Sequence, residues 1–273
     1  MPVTQQDIRR AVRALGLAGR ALCLHSSLRS FGHVEGGARA VVRSFLEEGC
    51  TLLVPTFSSA FEVAPPPRLR FERNGWDYAA ATAPRTGAGR VFTPEAPDID
   101  RDMGAVPLAV LGWPGRARGR HPLDSFAAAG PLASELIAGQ APLDVYAPLR
   151  ALARAGGSVL LAGVGLERMT LLHLAEKEAG RTLFRRWANG ADGEPTAVEV
   201  GGCSEGFGKL EGCLRPVMRN ALVGRSEWKS LPADEALARA AAAIRDDPSV
   251  THCGDPACAR CRDAVAGGPL LHG

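Results

Sequence analysis

The arrangement of residues 20–56 constrains the fold of this chain more than any other feature. Two apolar runs, residues 20–25 (RALCLH) and 50–56 (CTLLVPT), flank a segment from about residue 38 to residue 48 whose apolar positions have helical spacing. Two strands joined through a helix pair in parallel, with a right-handed crossover. The unit therefore predicts an α/β fold, with a central, mostly parallel sheet flanked by helices.

The rest of the chain predicts a single domain with a smaller C-terminal lobe. The sequence has 273 residues, enough for one domain with a sizeable core. Residues 196–200 (TAVEV) alternate like an exposed strand, and residues 233–245 predict an alanine-rich helix. We expect one domain over residues 1–273, with its core at about 1–180 and the lobe and a cysteine-rich tail at about 181–273.

Charge and hydropathy narrow the range of partners. The 32 basic and 29 acidic residues leave a formal net charge of +3, too small and too scattered for a nucleic-acid-binding surface. No apolar run approaches the roughly 20 residues needed to cross a bilayer, and the N-terminal sequence MPVTQQDIRR lacks the apolar stretch of a secretory signal. We expect a soluble, cytoplasmic protein, either a monomer or a homodimer, without nucleic-acid or membrane partners.

A histidine and a glutamate stand three residues apart in residues 170–176 (TLLHLAE). At helical spacing His173 and Glu176 lie on one face, so the carboxylate can hold the imidazole ring. The preceding residues 156–165 (GGSVLLAGVG) predict a buried strand that ends in glycines, and ligand sites in α/β sheets lie where strands deliver such loops to helices. The pair predicts a general base with its orienting carboxylate; the alternative is an ordinary contact on a helix surface.

Four of the seven cysteines are candidate metal ligands. Cys253, Cys258 and Cys261 stand close together in the tail, and Cys203 is a fourth thiol from a distant loop. Four thiolates, two of them in a Cys-x2-Cys pair, suit tetrahedral zinc. A structural zinc site is therefore one interpretation; reduced thiols that close the C-terminal segment and a disulfide are the others.

Five segments, taken in order along the chain, resemble the aminoglycoside 3-N-acetyltransferase family. They are residues 24–32 (LHSSLRSFG), 51–58 (TLLVPTFS), 120–130 (RHPLDSFAAAG), 159–165 (VLLAGVG) and 170–176 (TLLHLAE). The Cys-x2-Cys pair of the tail looks like that of the apramycin- and gentamicin-acetylating branch. The resemblance implies an enzyme that moves acetyl from acetyl-CoA to the 3-amino group of an aminoglycoside, by direct transfer in a ternary complex, and hence a role in antibiotic resistance.

The resemblance also implies the roles of individual residues. His173 would be the general base and Glu176 its partner. Donors to the developing oxyanion would come from Ser26, Ser27 or Thr170. Arginine can bind a phosphate through two hydrogen bonds at once. The residues expected around acetyl-CoA are Ser26, Ser27, Leu28, Arg29, Arg120, Ser125 and Thr170.

A polycationic antibiotic requires carboxylates around it, and Glu62, Glu199 and Glu205 are the candidates. Two positions depart from the family's pattern: residues 201–202 are Gly-Gly where an Asp and a His are frequent, and residues 146–148 are Tyr-Ala-Pro where Ser-Pro is usual. These departures leave two alternatives open. One is a CoA-dependent N-acyltransferase that acts on a different amine; the other is a zinc-stabilised binding module without catalytic activity.

Overall fold

The computed structural model describes residues 1–79 and 89–271. Its strands are β1 Ala21–Ser26, β2 Thr51–Pro55, β3 Ala117–Arg118, β4 Phe126–Ala129, β5 Ser158–Ala162, β6 Phe184–Asn189, β7 Pro195–Val200, β8 Arg219–Val223 and β9 Ser226–Pro232. Its α-helices are α1 Gln5–Ala14, α2 Gly37–Glu47, α3 Ala105–Leu111, α4 Ala133–Ile137, α5 Ala147–Arg154, α6 Leu171–Glu178, α7 Glu211–Leu214, α8 Ala233–Asp246 and α9 Ala259–Val265.

Seven strands form one mixed sheet in the order β3-β4-β2-β1-β5-β9-β8. The central strand β1 pairs in parallel with β2 on one side and with β5 on the other, where the register runs from Leu22 opposite Ser158 to Ser26 opposite Ala162. The outer strands β4, β3, β9 and β8 are antiparallel to their neighbours. The predicted α/β fold is confirmed, with the parallel pairing in the three central strands and helices on both faces.

An apolar layer covers each face of the sheet, because the central strands are buried on both sides. Leu22 and Leu24 of β1 belong to the layer formed with α1, α2 and α3, whereas Cys23 between them belongs to the layer formed with α5, α6 and α8. In the first layer Phe45 stacks on Trp228 with ring centroids 5.7 Å apart. Full burial of a large apolar side chain contributes about 1.5–3 kcal/mol, so the two layers fix the strand ends that reach the site.

Local sequence signals determine where the predicted helices form. α1 begins after Thr4, whose side chain accepts a hydrogen bond from the Asp7 backbone while the Asp7 carboxylate accepts one from the Thr4 backbone. The helix expected between the first two strands is α2, and the alanine-rich helix expected at residues 233–245 is α8. Both helix predictions are confirmed.

The C-terminal third contributes to the main sheet and also forms a second, two-stranded sheet. β8, β9 and α8 join the main sheet and its core, whereas β6 and β7 form the separate sheet, to which Glu62 and Val91 each add a single bridge. The prediction of an exposed strand at residues 196–200 is wrong for its second half: residues 198–200 are buried because the two valines pack with Phe61 and Phe184. Within the described residues, no helix is both long and apolar enough to cross a membrane.

Candidate active site

A cavity of about 750 Å³ opens at the edge of the sheet where the three parallel strands end. β1, β2 and β5 each deliver a loop to its wall, because parallel strands bring their carboxyl ends to the same edge. Six residues that the sequence assigns to the site line this cavity: Ser26, Ser27, Leu28, Arg29, Thr170 and His173.

The imidazole of His173 is held from behind by a buried ion-pair chain. Its Nδ1 lies 2.7 Å from a carboxylate oxygen of Glu176, and Arg181 donates to the other oxygen of the same carboxylate. Arg181 is itself fixed by a hydrogen bond of 2.8 Å to the hydroxyl of Thr251. A carboxylate only accepts, so Nδ1 carries the proton and Nε2 is left as an acceptor. Because His173 lines the cavity, that acceptor is the group of the pair that a ligand can reach.

Two aromatic rings set the position of the imidazole. Tyr146 stacks on His173 with ring centroids 6.0 Å apart and planes 9° apart, and Phe207 packs edge-on at 4.7 Å. A Cβ at Gly201 would lie 2.5 Å from the Tyr146 hydroxyl and 2.7 Å from the His173 ring. The two departures from the family's pattern, at residues 146 and 201, therefore lie side by side next to the imidazole. The hydroxyl of Tyr146 occupies space that a side chain at residue 201 would need.

Hydroxyl groups at the end of β1 offer hydrogen bonds to a ligand. The Ser26 hydroxyl is buried, lines the cavity and has no hydrogen-bond partner within residues 1–79 and 89–271. The backbone N–H of Ser27, in contrast, already donates to the carbonyl of Ala162 at 3.0 Å. Ser26 is therefore the better placed donor of the two, since a buried polar group without a partner is costly unless a ligand supplies one.

Three arginines place positive charge at the rim of the cavity. Arg29, Arg168 and Arg260 line it, and all three side chains are exposed. Guanidinium groups in this position suit the phosphates of a nucleotide cofactor. Of the three, the sequence singled out only Arg29, because nothing local to Arg168 or Arg260 indicates that the fold brings them to the same rim.

Two residues expected to contact the cofactor lie outside the cavity lining. Ser125 is buried and bonded within the protein: its hydroxyl contacts the Thr56 carbonyl at 3.0 Å and the Arg118 guanidinium at 3.0 Å. Arg120 is exposed. The buried arginine is Arg118, just before residues 120–130; it donates hydrogen bonds to the carbonyls of Thr56 and Asp98 and so ties loops together.

The three glutamates expected to bind the substrate do not line the cavity either. Glu199 is buried, and its carboxylate accepts hydrogen bonds of 2.7 and 2.9 Å from Lys177. Glu62 is half-buried and its backbone bridges to that of Ala188, whereas Glu205 is exposed. The carboxylates that do line the cavity are Asp102, Asp124 and Glu167.

Sequence reasoning missed Asp124, although it lies within one of the five segments of resemblance. Removal from water raises the pKa of its carboxyl to about 7, against the lowering effect of His173 and Arg186. The neighbouring His121 braces the loop, since its Nδ1 accepts a hydrogen bond of 2.8 Å from the Asp124 backbone. The only signal in the sequence was a lone acid between Leu123 and Ser125 of that segment.

The four predicted metal ligands come together. The sulfur atoms of Cys203, Cys253, Cys258 and Cys261 all lie within 4.8 Å of one another, and the backbone N–H of Cys253 donates to the sulfur of Cys261 at 3.3 Å. Four sulfurs at tetrahedral Zn–S distances are separated by about 3.8 Å. The cluster joins the loop after β7 to α9, and both segments reach the cavity, through Ser204 and Arg260 respectively.

Comparison with known proteins finds one family. The sequence pattern described as aminoglycoside 3-N-acetyltransferase matches residues 23–245. A curated relative, aminoglycoside N(3)-acetyltransferase IX of Micromonospora chalcea, is 36% identical over 183 residues. That match covers 64% of this chain and 62% of the relative's length.

Solved structures share the fold. Aminoglycoside acetyltransferase AAC(3)-IVa, as the apoenzyme, superposes with a TM-score of 0.79 at 24% identity, over 98% of both chains. A mutant of the same protein, in complex with a gentamicin, gives a TM-score of 0.78 at 24% identity, again over 98% of both chains. AAC-IIIb in a binary complex with CoASH gives 0.70 at 22% identity, over 90% of this chain and 97% of that one.

Proposed function

The chain belongs to the aminoglycoside 3-N-acetyltransferase family, and from that premise we propose that it transfers acetyl from acetyl-CoA to the 3-amino group of an aminoglycoside. The observation that carries the proposal is the His173 imidazole, held by Glu176 in the wall of a cavity of about 750 Å³. A cavity of this size suits a drug-sized ligand. Acetylation of the antibiotic would give resistance to it.

Both substrates bind together before the transfer in this mechanism. CoASH binds to the solved relative AAC-IIIb, which supports acetyl-CoA as the co-substrate here. Arg29, Arg168 and Arg260 would bind its phosphates at the rim, with the thioester near Ser26. We propose that the enzyme acts in the cytoplasm, where acetyl-CoA is available.

His173 serves as the general base of the transfer. The antibiotic amine enters as an ammonium and releases one proton to solvent. Its nitrogen then forms a C–N bond to the thioester carbonyl carbon, and His173 Nε2 accepts the proton that this nitrogen sheds. Glu176 stabilises the imidazolium, since its carboxylate lies 2.7 Å from Nδ1.

Collapse of the tetrahedral intermediate completes the reaction. The C–S bond breaks, and the CoA thiolate leaves with the proton that His173 held. The products are the amide and CoASH, and no acyl-enzyme forms. While the intermediate lasts, its oxyanion accepts a hydrogen bond from the Ser26 hydroxyl, the donor without a partner within the described residues.

We further propose that the four cysteines bind a structural zinc ion. The sulfurs need to move by only about 1 Å to reach tetrahedral distances, and none is in a disulfide. Bound zinc would fix the loop after β7 and α9 against each other, and thereby two parts of the cavity wall. Metal analysis of the purified protein should find one zinc per chain; its absence, with alkylation showing a disulfide instead, would contradict this site.

A second substrate class is favoured by one observation. Tyr146 and Gly201 fill the space beside His173 differently from the family's usual residues. A narrower or less cationic substrate, such as another primary amine, is the candidate that this change favours. The reaction and the role of His173 would be the same.

Release of free CoA thiol, measured against a panel of amines, tests the proposed function. The panel contains apramycin, gentamicin, tobramycin and an amine that is not an aminoglycoside. Turnover with an aminoglycoside supports the main proposal, whereas turnover with the other amine alone supports the second substrate class. Absence of thiol release with every member of the panel contradicts the main proposal.

A further inference from the structure

The cavity contains one carboxylate that is partly buried and that makes neither a hydrogen bond nor a close ion pair with the described residues. Asp102 is exposed, and Glu167 accepts a hydrogen bond of 3.1 Å from the Gly165 backbone. Asp124 is half-buried, and within residues 1–79 and 89–271 no group donates a hydrogen bond to its carboxylate. An ionised carboxylate in such a place is costly unless a cation joins it.

The backbone that carries this carboxylate is firmly held. The N–H of Asp124 donates to His121 Nδ1 at 2.8 Å, and its carbonyl accepts from Gln140 Nε2 at 2.9 Å. Gln140 is buried and also bonds to the backbones of Phe126 and Val145. The protein thus fixes the position of Asp124 on both sides while its side chain faces the cavity, as in a preformed binding site.

Charged neighbours surround the carboxyl from several elements. His173 of α6 and Arg186 of β6 favour its ionised form, while Glu62 and Asp100 oppose it. Tyr146 lies nearby as a neutral phenol, since burial raises its pKa well above the ordinary value. Desolvation outweighs the lowering effect of His173 and Arg186 and raises the pKa of Asp124 to about 7.

From this geometry we propose that Asp124 binds an ammonium group of the antibiotic, beside the amine that His173 deprotonates. The inference rests on the proposed function and deepens it, because it names a carboxylate that recognises the substrate class. An aminocyclitol ring carries amines only a few bonds apart, so an ammonium held at Asp124 presents a neighbouring amine to His173. Asp124 acts by positioning, since Glu176 already orients the imidazole.

The variant Asp124→Asn keeps the shape of the side chain and removes its charge. Loss of a charge-assisted hydrogen bond should raise the KM for the aminoglycoside by about tenfold or more and leave the KM for acetyl-CoA unchanged. The thermal midpoint at pH 8 should stay the same or rise, because an unpaired, partly buried charge is gone. A purely structural role predicts the opposite, a lower midpoint with both KM values affected.

A pH series separates this carboxylate from the other titrating groups. The ratio of antibiotic affinities, wild type over Asp124→Asn, should rise as the pH increases through about 7 and then level off. The deprotonation of the free antibiotic amines is common to both proteins and cancels in the ratio. A ratio of one at every pH overturns the assignment.

A control variant accompanies Asp124→Asn, and failure of the Asp124 role can be told apart from failure of the proposed function. Glu135→Gln removes an exposed carboxylate from α4, the helix that follows β4, and should leave the KM for the antibiotic unchanged. Equal KM values for wild type and Asp124→Asn overturn the role of Asp124 alone. Absence of turnover by the wild-type protein with every aminoglycoside overturns the proposed function, and this inference with it.

Discussion

At the scale of single residues, the catalysis that we propose depends on a row of three bonded side chains that ends at the cavity. Arg181 bonds to Glu176, and Glu176 bonds to His173. Glu176 has 4% of its surface exposed, so water cannot compete for its carboxylate. The imidazole is therefore held in one orientation before any ligand binds, which reduces the reorganisation needed during the reaction.

Replacement of His173, the proposed general base, tests the role of these three side chains. His173→Ala should lower kcat by roughly 10²–10⁴, the usual contribution of a general base, and leave the affinity for acetyl-CoA nearly unchanged. Steady-state thiol release gives kcat, and calorimetric titration gives the affinity. A kcat within about twofold of wild type would remove His173 from the mechanism.

The sequence predicts a residue well when its role is local. His173 and Glu176 are three residues apart on α6, so helical spacing alone brings them together. Asp124 and Arg260 reach the cavity from the segment before β4 and from α9, through contacts that no local pattern encodes. Glu199 was expected to bind the substrate from an exposed strand, but tertiary packing buries it beside Lys177.

At the scale of elements, the loop after β7 and the start of α5 both pack against His173 and hold it in place. Gly201→Ala puts a methyl group 2.5 Å from the Tyr146 hydroxyl and 2.7 Å from the His173 ring. We expect a loss of about 1–3 kcal/mol in the free energy of unfolding and a lower kcat. Urea denaturation and thiol release measure the two effects.

A double variant shows whether contact with the tyrosine causes the loss of stability in Gly201→Ala. Tyr146→Phe removes the oxygen that a methyl at residue 201 would meet first. Added to Gly201→Ala, it should restore part of the lost stability, because only the contact with the imidazole remains. A double variant as unstable as the sum of the two single ones would contradict this packing account.

The cysteine cluster connects two elements that sequence spacing could only suggest. Cys258→Ser should abolish stoichiometric zinc and raise the KM for acetyl-CoA, since α9 carries Arg260 to the rim of the cavity. Cys213→Ser, at a thiol outside the cluster, is the matched control. Full zinc content and unchanged kinetics in Cys258→Ser would show that this thiol is not a ligand.

At the scale of the whole molecule, the fold buries two neutral histidines. Burial lowers the pKa of His25 and His121 to about 4, from 6.5. Between these values the unfolded chain binds more protons than the folded one, so the free energy of unfolding falls as the pH falls. Asp124 has the opposite effect on the free energy of unfolding. Its pKa is raised to about 7 from 3.8, so between these values the folded form binds the extra proton.

Because two buried histidines oppose one buried carboxyl, the destabilising effect of acid should be the larger one. From pH 7.5 to pH 4 we expect a net loss on the order of 2 kcal/mol, measured as a lower urea midpoint. In Asp124→Asn the loss should be steeper, since the opposing group is gone. Stability that is flat or rising over this range would contradict the burial of neutral histidines.

The class of the fold was predictable and its full topology was not. The first β-α-β unit fixes three things locally: two strands, the helix between them and their parallel pairing. The antiparallel strands β3, β4, β8 and β9 join the sheet through long-range pairing, and short apolar runs do not specify the direction of a partner. The edges of the sheet and the position of the tail therefore had to come from the structure.

The position of the acetyl group on the product decides whether the protein is the 3-N-acetyltransferase that we propose. Gentamicin is incubated with acetyl-CoA and the protein, and the purified product is assigned by NMR. We expect a single acetyl group on the 3-amino nitrogen, formed by the wild type and largely lost with His173→Ala. An unmodified antibiotic, or an acetyl group on another nitrogen, would contradict it.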